Sequence, residues 1–397
     1  MLSVDEALEV LLAGARPVPE IEQIPTLEAS GRVLARALAS TMDVPPMDNS
    51  AMDGYALRAA EVSAPETRLR IAQRIAAGEV GKPLAPGTAA RIFTGAPVPQ
   101  GADAIVMQEF CAVEGESVVV RKVPKPGEWV RRVGSDVRKG DTIVLAGKRL
   151  LPQDTGLAAS VGIGAMPVYR RVRLGLFFTG DELVMPGEPL APGRIYNSNR
   201  FTLNGMAHAF GCDVRDYGIV PDSLEATRAV LRRASAKCDI IVTSGGVSVG
   251  DADFVKPAVE AEGSLLMWRI SMKPGRPLAF GRIGPCAFIG LPGNPVSSFV
   301  TFLIFVRPFL LRTQGVTQVA PRANDARADF DWAEPDPRRE FLRVKWNSGG
   351  GLDLYPTQDS AVLTSTAWAD GLVDNPPNRA IRRGDRVRFL PFAELYR

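Results

Sequence analysis

The stretch Asp239-Ile240-Ile241-Val242-Thr243-Ser244-Gly245-Gly246-Val247-Ser248-Val249-Gly250-Asp251-Ala252-Asp253 decides how the chain reads. A short, apolar, β-branched run breaks into glycine and serine, then presents two carboxylates just before another helical pattern begins. That is a buried strand ending in a ligand loop. Glycines let backbone N–H groups approach an anion, hydroxyls add donors, and the N-terminus of the next helix favours negative charge. Phosphate-bearing ligands fit such a loop. A lone Gly-Gly would as readily be a tight strand-to-helix turn, so the weight rests on further loops of the same kind.

Outward from this stretch, residues 168 to 313 alternate strands and helices. Strand patterns run over Val172 to Phe178, Val214 to Val220, Asp239 to Thr243, Leu265 to Ile270, Ala279 to Ile283 and Ala287 to Gly290. Helical patterns run over Asn199 to Phe210, Ser223 to Ala236, Asp253 to Glu262 and Pro295 to Leu311. The alternation predicts an α/β core: a mostly parallel sheet with helices on both faces and ligands beyond the carboxyl ends of the strands. Those ends carry Thr179-Gly180-Asp181-Glu182, the opening stretch, and Gly290-Leu291-Pro292-Gly293-Asn294-Pro295-Val296-Ser297. All three fall on one edge of the expected sheet.

The flanks read differently. Residues 1–40 carry two helical patterns, Val4 to Leu12 and Leu27 to Leu38, and Asp154 to Val161 continues the theme, so 1–40 with 138–168 are expected to form a helical support. Residues 41–137 punctuate short β-like runs with Pro and Gly and read as a β-rich unit inserted into that support. The α/β unit spans 169–315. Residues 322–397, with strand patterns at Glu340 to Trp346, Leu352 to Tyr355 and Arg386 to Leu390, read as a C-terminal, β-barrel-like unit.

Composition narrows the function. In 397 residues, 46% are hydrophobic and 23% charged, as in ordinary globular proteins, and a net charge of +3 gives no argument for nucleic acid. Cys111, Cys212, Cys238 and Cys286 form no Cys-x-x-Cys pair, which fits a reducing, cytoplasmic compartment. The N-terminus lacks a basic n-region, so no signal peptide is expected, and the apolar Val296 to Leu311 segment is short for a membrane span. His208 is the only histidine, which removes Ser-His triads and histidine-rich metal sites. A metal here would be held by oxygen, as magnesium is beside phosphates.

Glu182, Asp251 and Asp253 place carboxylates where the glycine loops would hold phosphates, an arrangement suited to Mg²⁺ bridging protein and pyrophosphate. Each alone would pass for a solvated turn acid. In Trp268-Arg269-Ile270-Ser271-Met272-Lys273-Pro274-Gly275-Arg276-Pro277, strand alternation puts Arg269, Ser271 and Lys273 on one face. With Arg276 these cations suit a second anion, although Arg276 taken singly would equally be a surface charge. The residues thus describe an α/β enzyme for phosphorylated or pyrophosphate-linked ligands, and they name no substrate.

At this point the chain resembles the molybdopterin molybdenumtransferases, the family that includes the E domain of gephyrin. The resemblance rests on Asp48-Asn49-Ser50-Ala51-Met52-Asp53-Gly54-Tyr55-Ala56, Thr94-Gly95-Ala96-Pro97-Val98-Pro99, Thr179-Gly180-Asp181-Glu182, Ser244-Gly245-Gly246-Val247-Ser248-Val249-Gly250, Lys273-Pro274-Gly275-Arg276-Pro277 and the Gly290 to Ser297 segment. It implies that Mg²⁺ assists cleavage of adenylylated molybdopterin, that AMP leaves, and that molybdate enters to give molybdenum cofactor. It also implies a homodimer of elongated four-part chains, with 169–315 as the molybdopterin-binding unit.

Carried over by motif, Glu182, Asp222 and Asp253 would handle the pyrophosphate, with Glu182 and Asp253 on the metal and Lys273 as a further catalytic group. Asp53 and Thr94 would enter from the β-rich unit of the second chain. Ser244, Gly245, Gly246, Ser248, Arg269, Gly293 and Asn294 would bind the substrate. Lys273, Arg276, Pro277, Ser297, Arg343 and Ser360 would bind molybdate. Arg269 and Arg276 stand where many members carry lysine, and Asp359 adds a negative charge beside Ser360. Competing readings are an adenylyltransferase or pyrophosphatase for pterin nucleotides, and a gephyrin-like scaffold without catalysis.

Overall fold

The computed structural model describes residues 1–246 and 254–396. Its central sheet has six strands, in the order Asp213–Val220, Arg173–Thr179, Ile240–Ser244, Cys286–Leu291, Pro277–Ile283 and Ser264–Arg269. The first four run parallel. Ile240, Ile241 and Val242 are wholly buried, and a strand covered on both faces has no need of polar alternation.

The sheet is more mixed than the sequence suggested, because one strand, Pro277–Ile283, runs antiparallel to both of its neighbours, Cys286–Leu291 and Ser264–Arg269. The reason is local. Only Gly284 and Pro285 separate Ile283 from its cross-strand partner Cys286, and a two-residue loop can join antiparallel neighbours alone. Gly284 takes a positive φ of 58° in that turn.

Helices cover both faces. One carries Val4–Ala13, Ser198–Ala209 and the Pro295–Thr313 rod, packed through Leu11, Leu203, Met206, Phe302, Phe305 and Phe309. The other carries Leu224–Ser235 and Val255–Glu262, packed through Val230, Leu231, Val255 and Val259. The first helix is set by a capping box: Ser3 Oγ accepts from Glu6 N–H while the Glu6 carboxylate accepts from Ser3 N–H. The rod is long and apolar enough to cross a membrane, but it is packed inside the protein. Its middle turn, Phe302–Val306, is a π-helix just before Pro308, whose missing N–H leaves the regular ladder incomplete.

The N-terminal support departs from expectation. Leu27 to Leu38 is not a helix: a 3₁₀ turn at Thr26–Glu28 gives way to extended backbone bridged at Val33 to Arg149 and Leu34 to Val168. Gly31, at φ 80°, turns the chain out of the helical path. Ile21–Pro25 pairs with Ala165–Tyr169, so residues 14–40 and 141–169 meet as a β ribbon with one helix, Pro152–Ser160. The helix Val4–Ala13 joins the α/β core instead.

Between those halves lies a sheet of Ala104–Met107, Gly54–Leu57, Thr88–Ile92, Thr67–Ile75, Ser117–Val120 and Cys111–Glu114, in that order, with its own apolar clusters. The C-terminal strands Arg339–Trp346, Gly371–Asn375, Arg386–Pro391 and Asn324–Arg327 form a half-barrel rather than a closed barrel, crossed on its open side by the Ala328 to Leu352 bridge. Met272–Lys273 pairs in parallel with Arg339 and Glu340. The cationic loop of the core therefore belongs to the C-terminal sheet as well.

Candidate functional site

Arg173–Thr179 has Asp213–Val220 on one side and Ile240–Ser244 on the other, so the strand order reverses beside it. The crevice outside the carboxyl ends of such strands is the place for a ligand in an open α/β sheet. Here Gly245 and Gly246 have positive φ angles of 95° and 66°. A Cβ on Gly245 would lie 2.8 Å from the Thr179 carbonyl oxygen, and one on Gly246 would lie 2.4 Å from Val255 Cγ2. Only glycine lets the two loops close on each other.

Serines and an asparagine lock the loops. Asn199 Nδ2 donates to Ser244 Oγ (2.8 Å) and to the Gly293 carbonyl (2.7 Å), joining two of the strand-end loops. Ser244 Oγ donates to the Pro292 carbonyl, and Ser298 Oγ donates to Ser244 Oγ. Sequence reasoning passed over Asn199, whose signal was its place at the start of a helix facing the glycine loops.

On one side of the loops, Asp181, Glu182 and Asp222 gather. Asp181 N–H donates to the Asp222 carboxylate (3.0 Å), and Asp222 N–H points back at the Asp181 carboxylate (3.4 Å). The Glu182 carboxylate folds against Gly180, close enough that a Cβ there would lie 2.7 Å from Oε2. Burial, and then the neighbouring charges of Asp181 and Glu182, push the Asp222 carboxyl above its ordinary range. No ion pair to a basic side chain relieves these three acids among the described residues. Asp253 and Ser248, and Asp251 with them, lie outside the described residues.

On the other side, a cavity of about 560 Å³ opens between the core and the C-terminal unit. It is lined by Lys273, Arg276, Pro277, Gly293, Asn294, Ser297 and Ser360, which brings together most of the residues expected around molybdate with two expected on the substrate. Two hydrogen bonds fix the junction: Asn294 Nδ2 donates to Ser360 Oγ (2.9 Å) and Val296 N–H to the Ser360 carbonyl (3.0 Å). Gly275, at φ 100°, sets the Lys273 to Pro277 loop against the rod, since a Cβ there would meet Thr301 Oγ1 at 2.3 Å. Asp359 also lines the cavity, with its carboxylate turned to accept from Ala361 N–H.

Two expected cations are placed elsewhere. Arg343 is 1% exposed and does not line the cavity; its guanidinium donates to Ser365 Oγ and to the carbonyls of Phe341 and Asp359. Burial drives its pKa down to about 10. Its place is behind the wall, where it shapes the Gln358 to Ser360 loop. Arg269 is exposed at a strand end, also away from the cavity. Arg338, which sequence reasoning did not single out, lines the cavity in their stead.

Asp53 and Thr94 meet on the inserted β unit, where Asp53 Oδ1 accepts from both the Thr94 amide and its hydroxyl at 2.8 Å. Those bonds, the amide first, hold the Asp53 carboxyl below its ordinary range. Thr94 is exposed and Asp53 half-buried, and among the described residues neither side chain is bonded to the core.

As to metal, the described residues contain no cluster of three or more His, Cys, Asp or Glu poised as ligands. Mg²⁺ does not require one, because it commonly takes one or two carboxylates and completes its shell with water and substrate phosphates. The crowded Asp181, Glu182 and Asp222 fit that role, since a cation would offset the burial of the Asp222 charge and the repulsion from its two acidic neighbours.

Comparisons with known proteins agree along the whole chain. Residues 2–162 match the family described as MoeA N-terminal region (domain I and II), residues 175–312 a probable molybdopterin binding domain, and residues 325–392 the MoeA C-terminal region (domain IV). The chain is 40% identical over 403 residues to the molybdopterin molybdenumtransferase of Haemophilus influenzae, covering 100% of both chains. It is 36% identical to that of Synechococcus elongatus, over 93% of this chain and 95% of the relative. The crystal structure of a molybdopterin biosynthesis moeA protein from Pyrococcus horikoshii superposes with a TM-score of 0.87 at 29% identity, over 98% of this chain and 100% of that one.

Proposed function

The chain belongs to the molybdopterin molybdenumtransferase family, an enzyme family of molybdenum cofactor biosynthesis, and on that premise we propose that it joins molybdate to adenylylated molybdopterin with release of AMP. The observation that carries this reading is the pairing of two opposite charge sites along one sheet edge. Crowded acids lie on one side of the glycine loops, and a cationic cavity lies on the other.

The Gly245-Gly246 and Gly293 to Asn294 loops would offer backbone amides to the phosphates of the substrate, while the Ser244 hydroxyl, already donated to the Pro292 carbonyl, fixes the loop. Glu182 and Asp222 would hold Mg²⁺, together with Asp253 by the family motif. Bound there, the ion supplies charge to the oxygens of the pyrophosphate link as its P–O bond breaks. The acids take up the ion and keep the leaving AMP oriented, while Lys273, Arg276, Ser297 and Ser360 seat the tetrahedral dianion beside the pterin end.

Asp53 and Thr94, whose side chains are joined to each other on the inserted β unit, would complete the site from a second chain in a cytoplasmic homodimer.

Incubating the protein with adenylylated molybdopterin, Mg²⁺ and molybdate should release AMP only when all three are present; release that ignores molybdate would sink the reading. For the shared site, inactive Asp53→Asn and inactive Asp253→Asn chains should rescue each other when mixed. Random pairing makes half the dimers mixed, each with one of its two sites intact, so about a quarter of normal activity should return. With mixed dimers confirmed, no rescue would mean that each site belongs to one chain.

A further inference from the structure

Arg91 lies in the strand Thr88–Ile92 of the inserted β unit, directly across from Tyr55 on one neighbouring strand and beside Arg74 on the other. Asp53 is the residue before the strand Gly54–Leu57, and Thr94 lies two residues beyond Thr88–Ile92. Arg91 is therefore placed where it can reach both ends of the Asp53 and Thr94 pair.

Its guanidinium spans the turn that carries Asp53. One Nη donates to the Gly54 carbonyl (3.0 Å) and the other to Gln108 Oε1 (2.6 Å), while the Gln108 backbone N–H donates to the Asp53 carbonyl (3.1 Å). Asp53 is thus held at its own carbonyl and at that of the next residue. Gly54 leaves the turn no slack, since a Cβ there would lie 2.0 Å from the Val106 carbonyl oxygen. On the Thr94 side, the guanidinium carbon of Arg91 lies 4.7 Å from the centre of the Phe93 ring and 5.3 Å from that of Tyr55, and the guanidinium carbon of Arg74 lies 4.5 Å from the Phe93 centre. These cation–π contacts fix Phe93, the residue that leads into Thr94. The Thr94 amide and hydroxyl both occupy Asp53 Oδ1, so Oδ2 is the oxygen left for a ligand among the described residues.

We propose that Arg91 is a positioning residue for the Asp53 and Thr94 pair, bracing the turn from both sides so that Asp53 Oδ2 is presented in one fixed place to the site on the second chain. The proposal rests on the shared-site reading above and deepens it. Both hydrogen-bond acceptors of Arg91 are neutral oxygens on separate segments, so the planar fork matters as much as the charge.

The test is steady-state AMP release by the full-length protein, with a melting curve for each variant. Arg91→Ala should lower kcat by about 10–10²-fold with KM nearly unchanged, as a misplaced reacting group does. Arg91→Lys keeps the charge but cannot span both acceptors, so it should restore little. Gln108→Ala removes one leg of the brace and should lower kcat several-fold; it carries the test if Arg91→Ala does not fold. Mixed dimers then locate the effect. Arg91→Ala chains mixed with inactive Asp253→Asn chains should regain about a quarter of normal activity, because one site in each mixed dimer is intact. Mixed with Asp53→Asn chains they should gain nothing above their own residual rate, because both lesions lie in the same unit. Full recovery by Arg91→Lys, or an unchanged kcat in folded Arg91→Ala or Gln108→Ala, would overturn the proposal. So would Asp253→Asn chains that rescue Asp53→Asn and leave Arg91→Ala unrescued. If those chains rescue neither variant, the shared-site reading itself falls, whatever the kcat of Arg91→Ala.

Discussion

The two charged regions flanking the glycine loops are built in opposite ways. Asp181, Glu182 and Asp222 crowd together with no basic partner among the described residues, and Asp222 is pushed toward its neutral form by burial first and by its acidic neighbours second. Lys273 and Arg338 are already held by Asp336 and Glu340. The first region carries uncompensated repulsion that a bound cation would relieve. The second is preorganised: its charges are balanced from behind, so its donors are aimed before the anion arrives. Removing a charge from the first region should therefore cost function alone, and removing one from the second should cost function and stability together.

Glu182→Gln and Lys273→Ala make the largest expected contrast. Both should lower AMP release by about 10²–10³-fold, as loss of a single charged group at a reacting centre commonly does. Their melting temperatures should part. Lys273→Ala leaves Glu340 wholly buried with no cation beside Oε1, so the melting point should fall by several degrees. Glu182→Gln relieves repulsion and should melt at the same temperature or slightly higher. Equal melting points in the two variants would break the comparison.

A smaller effect is expected at the junction. Ser360 holds Asn294 and Val296, so the C-terminal unit closes the cationic cavity through a few hydrogen bonds. Ser360→Ala removes one of them and keeps the backbone bond from Val296. The KM for molybdate should rise several-fold with kcat nearly unchanged, which steady-state AMP release at varied molybdate will show. A fall in kcat without a change in KM would move Ser360 from holding the anion to acting in the reaction.

What the sequence made legible follows the reach of each signal. The Ile240 to Ser244 run, the Gly245-Gly246 pair and the Lys273 to Pro277 loop are local patterns, and the structure brings their surroundings onto one sheet edge. Leu27 to Leu38 misled because apolar spacing alone suited a helix, while the strands that claim it, near Arg149 and Val168, lie more than a hundred residues away. The reversal of the one core strand Pro277–Ile283 was written in Gly284-Pro285, a turn too short for a crossover. Arg343 and Arg338 could not be told apart by composition. One is buried under the Asp359 carbonyl and the other faces the cavity, and only the course of the 336–343 segment decides between them. Asn199 acts through two loops that are distant in sequence, so no spacing rule finds it.

The finest test of the comparison is Asp222→Asn. Burial and the charges of Asp181 and Glu182 raise the folded-state carboxyl of Asp222 above its unfolded value. Over the pH range between those two values the folded chain binds more protons than the unfolded one, so stability falls as pH rises through it and stays lower above. Asparagine carries no charge to be disfavoured and can still accept from Asp181 N–H. At neutral pH the variant should therefore melt higher than the unmodified protein by on the order of a degree, and the gap should close as pH falls below the ordinary carboxylate range. Millimolar Mg²⁺ should narrow the gap from the other direction, by relieving the repulsion in the unmodified protein while the asparagine variant has less to gain. Melting curves from pH 3 to 8, with and without Mg²⁺, measure all of this. A lower melting point at neutral pH would mean that Asp222 earns its place through packing or hydrogen bonding in the fold, and that the acidic edge is no less self-supporting than the cationic cavity across the loops.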